Sequence, residues 1–232
     1  MRGFSAIDYA ALAFFVVAWI AYYVAVERTA VGRQTLNILM NDYRRRWMEQ
    51  MVFRDNRIVD TTIMASLQNG SAFFASTSLI AIGGSLTLLR SAQDAVSVFN
   101  ELPLGLVTTP FAWEVKVAGL AIILVYSFFK FSWAYRIFNY AAILVGAVPV
   151  LPMEHGADAR EAALVAARKA AAMSTVAGMH FNRGQRAFFF ALAYLGWFVS
   201  PYALIAATAA VIYVMWQRQF ASAARAAVLH PD

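Results

Sequence analysis

A chain of 232 residues that is 61% hydrophobic, with a mean hydropathy of +0.58, carries far more apolar side chain than a globular domain can bury, so its natural solvent is a bilayer. The net charge of +6 and pI near 9.8 raise nucleic acid as a partner, but the basic residues stand at the ends of apolar runs and not on a separate face, which makes them topology signals and headgroup contacts. The absence of cysteine excludes disulfides, thiolate metal sites, iron–sulfur clusters and cysteine nucleophiles.

The first apolar run lies between Asp8 and Glu27. Its 18 uncharged residues, Tyr9 to Val26, reach roughly 27 Å as a helix, about one hydrocarbon thickness. No small-residue cleavage site follows, so the run is expected to stay as an anchor. Between Arg33 and Phe53, Leu36, Met40, Tyr43, Trp47 and Met51 recur at helical spacing, with Asp42–Arg46 and Arg45–Glu49 as i, i+4 pairs. That pattern predicts an amphipathic helix on the membrane or packed on a cytoplasmic hairpin. Its Arg44, Arg45, Arg46 triplet beside Trp47 suits anionic lipid headgroups.

The second run extends from Thr61 to Leu89 and opens with polar residues near one interface. The third, Phe111 to Met153, is interrupted by Lys116, Lys130 and Arg136 without a turn signal, so it predicts a single span from near Trp113. Its two lysines are 14 residues, roughly 21 Å, apart, and each is expected to snorkel to its own interface. Ile137 to Val148 would then project into the cytoplasm and end near Pro149 and Pro152. The alanine-rich segment Ala157 to Met179 would cover it as the second arm of a helical hairpin. The fourth run, Ala187 to Gln217, is 31 residues or roughly 46 Å long, so it should tilt or protrude, with a kink at Pro201.

These runs predict an all-α, polytopic membrane protein: one membrane domain, a four-helix transmembrane bundle with cytoplasmic helical extensions. The spans fall near 8–27, 61–89, 112–135 and 187–217, and the amphipathic helices near 33–53 and 157–178. Lysine and arginine number 14 in the first and third loops, with Lys130 at the end of the third span counted to the latter, against five elsewhere. The charge rule therefore makes 28–60 and 136–186 cytoplasmic and both termini periplasmic, across a bacterial inner membrane.

Polar residues near membrane depth are the first place to look for function. The series Gln68, Asn69, Ser71, Ser76, Thr77 and Ser78 has no ionisable member, which argues against a proton relay. Residues four apart, Ala72, Ser76, Ile80, Gly84 and Ser71, Ala75, Leu79, Gly83, give small faces that favour close helix packing instead. Ser132, Arg136 and Asn139 share a face of the third helix, and His180, Asn182, Arg183 and Arg186 precede the fourth run. Gln68, Asn69, Lys130, Arg136, Asn139, Asn182 and Arg183 are the candidates for binding a headgroup or a partner. No catalytic, cofactor or metal residue is assigned. Of the histidines, His155 follows Glu154 and has Asp158 three residues on, but one imidazole with two carboxylates near a proline turn is a weak metal site. Nucleophile elbow, phosphate loop, dinucleotide fingerprint and zinc-helix motifs are absent from the sequence.

QNGSAFFAST (68–77), KFSWAYRIFNY (130–140) and HFNRGQRAFFFALAYLGWF (180–198) resemble the bacterial membrane family known as domain of unknown function 599. The likeness runs over nearly the whole chain. It implies a small four-span protein and brings no activity and no ligand residues.

Three readings follow from these residues. The leading one is a structural or accessory subunit that packs with itself or with a larger membrane complex. The alternative is a transporter or channel for a small or lipid-like solute, with a polar entrance on the cytoplasmic side. A lipid-modifying enzyme would need a carboxylate at headgroup level, for which Asp60 and Glu154 are the candidates. The expected partners are the bilayer, anionic lipid headgroups, and a membrane complex or second copy, with no nucleic acid.

Overall fold

A computed structural model describes residues 3–101, 109–151 and 156–229. Among these residues the chain is helical, without a strand: α1 (Ala6–Arg28), a 3-10 turn (Val31–Gln34), α2 (Leu36–Met51), α3 (Ile58–Arg90), α4 (Ala92–Glu101), α5 (Pro110–Ala147), α6 (Ala157–Tyr194), α7 (Gly196–Val199), α8 (Pro201–Phe220) and α9 (Ala223–Leu229). Glu154, His155 and His230 lie outside the described residues. The chain forms two compact units, Met1–Leu36 with Thr77–Ser127 and Arg186–Asp232, and Asn37–Ser76 with Phe128–Gln185. α3, α5 and α6 each give a segment to both.

α1, α3 and α5 are long and apolar enough to cross a membrane. In the first unit α1 starts on a capping box: Ser5 Oγ accepts from Asp8 N at 3.2 Å, and Asp8 Oδ2 accepts from Ser5 N at 2.9 Å. The core joins Ala11, Phe15 and Tyr22 of α1 to Leu120 and Leu124 of α5 and to Phe190 and Tyr194 of α6. Aromatic stacking fixes the register, with Trp19 and Phe190 ring centroids 5.0 Å apart and 6° from parallel.

The fourth apolar run is not one helix. α6 stops at Tyr194, α7 makes a single turn, and Ser200 is extended (φ −167°, ψ 161°) before α8 begins at Pro201. Ser200 Oγ accepts from Ala203 N at 3.0 Å, so Ser-Pro acts here as cap and first helical residue of a new helix, not as a kink. The chain reverses. Phe189 lines one groove with Val211, Val214 and Met215, which a continuous helix would hold roughly 30 Å or more away. Gly196 permits the tight return, since a Cβ there would stand 2.8 Å from the Ala203 carbonyl oxygen.

The reversal also sets where the tail lies within the unit. α8 returns alongside α1, and Arg225 Nε in α9 donates to the Gln34 carbonyl at 3.1 Å. The carboxyl-terminal helix therefore sits at the end of the unit where α1 finishes, while Gly3 lies against Phe111 and Thr109 at the start of α5.

The second unit is built on small-to-large packing. Ala163, Ala167, Ala170 and Ala171 of α6 give a shallow face that receives Phe138, Ala141 and Val145 of α5 and Met48, Met51 and Val52 from α2 and its exit. The stripe expected on α2 is buried only at its end: Met51 is enclosed, whereas Met40 and Tyr43 are about 40% exposed. Its ion pairs differ too, because Arg168 of α6 competes for Glu49. Glu49 takes Arg168 of α6 at 3.2 Å, Arg45 takes Asp42 at 3.7 Å, and Arg46 lies over the Tyr43 ring at 5.3 Å. Arg57 supplies the end of α5, its guanidinium donating to the carbonyls of Val145, Val148 and Pro149, the groups a helix terminus leaves unbonded.

Candidate functional site

Two charged levels bound the apolar interior of the first unit. At the first level α7 ends after one turn, so the Gly196 carbonyl accepts from Ser200 N while a later one, that of Trp197, needs a partner from elsewhere. Lys116 of α5 supplies one: its Nζ donates to the Trp197 carbonyl at 2.7 Å and stands 5.3 Å from the Trp197 ring centroid. The Trp197 indole N–H in turn donates to Asp8 Oδ1 at 2.9 Å, leaving Oδ2 to Ser5. Phe4 stacks on the same indole at 5.4 Å, and Tyr194 meets it edge-on at 5.4 Å. Trp197 is thus held through its ring, its N–H and its backbone oxygen at once.

At the second level Glu27 of α1 pairs with Arg186 of α6, both side chains largely withdrawn from solvent. Asp8 and Glu27 are 19 residues apart on one helix, roughly 28 Å, which is one hydrocarbon thickness. Each charge is hydrogen-bonded where it sits, Asp8 and Lys116 through Trp197 and Glu27 with Arg186 directly.

Apolar grooves open on this unit among the described residues. One of about 540 Å³ runs among α3, α5 and α6, with Ala81, Gly84 and Leu88 facing Leu120, Leu124 and Phe188. A second of about 390 Å³ lies between α1 and α5 along Trp19, Tyr23 and Tyr126. The third, about 190 Å³, separates Phe189 of α6 from Ala210, Val211, Val214 and Met215 of α8 and ends at Arg218.

The residues singled out from the sequence lie in the second unit. Gln68 Nε2 donates to Asn139 Oδ1 at 2.7 Å, joining α3 to α5. Arg136 is exposed and clasped by its own helix, donating to the Tyr140 hydroxyl at 2.8 Å with the Trp133 ring 5.7 Å away. Asn69 is exposed, Asn182 is half-buried, and Lys130 and Arg183 are half-buried and engaged in contacts. Asp60 does not face a headgroup pocket. It is fully buried, with Oδ1 accepting from Trp47 Nε1 at 2.6 Å and Arg54 Nη1 at 2.5 Å. Among the described residues no three histidine, aspartate or glutamate side chains gather as a metal site.

Lys116 was expected to snorkel outward and instead turns inward, about 9% exposed. Asp8, Trp197 and Lys116 come from three helices, so spacing within any one of them carried no sign of the cluster. Residues 10–224 match the sequence model of a family described as Protein of unknown function, DUF599. The chain belongs to the DUF599 family. No curated protein and no solved structure matches it. For this DUF599 chain, then, chemistry must be read from its own residues, and they present paired boundary charges and apolar grooves.

Proposed function

We propose that the protein is a multi-pass component of a bacterial inner membrane, a structural or accessory subunit that pairs with a second copy through the groove of α3, α5 and α6. The observation that carries this reading is the open glycine rim of that groove. Gly83 and Gly84 are exposed, and no heavy atom lies within 4 Å of where a Cβ would stand on either. One turn before Gly84 on the same face, Ile80 is 76% exposed. In lipid the hydrophobic effect gives helices no reason to associate, so packing at small residues must do it. A two-fold arrangement supplies that packing: Ile80 of one copy enters the groove of the other, and the reverse.

Because the protein has no cysteine of its own, Gly84→Cys gives a clean test. Oxidation in native membranes should yield a cross-linked dimer, and native mass measurement in mild detergent should show dimer for the parent chain and monomer for Gly84→Trp. A parent chain that is monomeric without co-purifying protein overturns the reading. A different chain in the complex overturns self-pairing.

The same reading gives five passes, with α6 and α8 as the last two. It sets the amino end outside and the carboxyl end inside. Support comes from charge: moving the tail to the basic side leaves only Arg2, Arg90 and Lys116, three of 19 lysines and arginines, opposite.

A further inference from the structure

We infer that the groove between α6 and α8 is a binding site for one anionic phospholipid, with an acyl chain along Phe189, Val211, Val214 and Met215 and the headgroup phosphate on Arg218. This goes beyond pairing and uses a different surface, on the other side of α6 from the large groove.

Depth is the first argument. α8 starts at the level of Trp197 and runs 20 residues, roughly 30 Å, so its last turn, which holds Arg218, reaches the opposite boundary. The wall of the groove is hydrocarbon up to that turn, and its end is a guanidinium. An aliphatic slot closed by a cation at the boundary has the polarity of a phospholipid, chain inside and phosphate at the edge.

Charge is the second. From Ala162 to Pro231 the sequence contains no acidic residue, and none lies between Arg28 and Asn41. Arg28, Arg33, Arg186, Arg218 and Arg225 therefore share this end of the unit with Glu27 as its described carboxylate, and Glu27 is taken by Arg186. Arg225 donates its Nε to the Gln34 carbonyl, a neutral partner. The carbonyl end of α8 is partially negative and cannot itself hold a phosphate, so the cations must. Arg218 is exposed, and its planar fork matches two phosphate oxygens. Beside it Trp216 is 42% exposed and packs on Phe220 at 4.3 Å, an amphipathic ring pair suited to headgroup depth.

The test is native mass measurement of the full chain after exchange into nanodiscs holding equal phosphatidylglycerol and phosphatidylcholine of the same chain length. The parent protein should retain one phosphatidylglycerol in preference to phosphatidylcholine. Arg218→Gln should cut that preference roughly tenfold, the scale of one charge-assisted contact. Val214→Trp, which fills the slot, should lower retention of both lipids. Arg160→Gln, an exposed arginine of the second unit that lies over the Phe53 ring, should change neither. Equal retention of the two lipids by the parent chain overturns the site. So does an unchanged preference in Arg218→Gln, or the same loss in Arg160→Gln, which would mean a diffuse charge effect. Failure here leaves dimer formation by Gly84→Cys unaffected, so the two readings fall separately.

Discussion

Gly119 is a residue at which the first unit has little tolerance. An added Cβ would stand 2.1 Å from the Tyr194 hydroxyl and 2.9 Å from the carbon that bears it, both on a buried ring with no free direction to move. Gly119→Ala should therefore destabilise the protein by about 1–3 kcal/mol, the range of core overpacking, read as a lower midpoint of thermal unfolding in detergent. Tyr194→Phe in the same chain should recover part of the loss, because it removes the nearer of the two atoms. An unchanged midpoint in Gly119→Ala would show that α5 and α6 do not approach this closely. Little at this scale was legible beforehand. Lys116 could be read as a lysine near an interface, but its direction depends on a carbonyl of α7 that only the chain reversal exposes. Asp60 likewise looked like a headgroup carboxylate because its partners, Trp47 and Arg54, lie beyond a loop from it.

At the scale of elements, periodicity served well where one face is buried and failed where the run is apolar all round. The alanine arm of α6 and the projecting half of α5 could be matched in advance because each has a face that needs a cover, and Ala163, Ala167, Val145 and Phe138 now share one cluster. Hydropathy from Ala187 to Gln217 has no such contrast, so the reversal at Leu195–Ser200 left only a local sign, serine before proline. That sign has an energetic reading. Ser200→Ala removes the hydroxyl that accepts from Ala203 N and should cost about 1 kcal/mol, the usual worth of such a cap, again as a lowered unfolding midpoint. No change would mean that α8 starts without help from Ser200.

For the molecule as a whole the sharpest expectation concerns sidedness. The first three apolar runs coincide with helices able to cross a membrane, and the charge asymmetry between loops was visible from arginine positions alone. The five-pass reading differs in the fourth run, where a reversal between α6 and α8 changes the parity of every later segment. Single cysteines at Arg45, Asp94 and Ala226, treated with an impermeant thiol reagent on intact cells, should label only at position 94. Labelling at 226 would restore a tail on the outer side and contradict the contact between Arg225 and Gln34. Labelling at 45 would invert the whole arrangement.

The reversal bears as well on how the chain is made. The 13 residues from Ala187 to Val199 reach roughly 20 Å, too short a stretch to enter a bilayer as an independent anchor. Its partner leg, α8, follows after a single turn, so in the five-pass reading the two legs enter a bilayer together as one hairpin. The clasp of Lys116 on Trp197 then closes the tip of that hairpin onto α5.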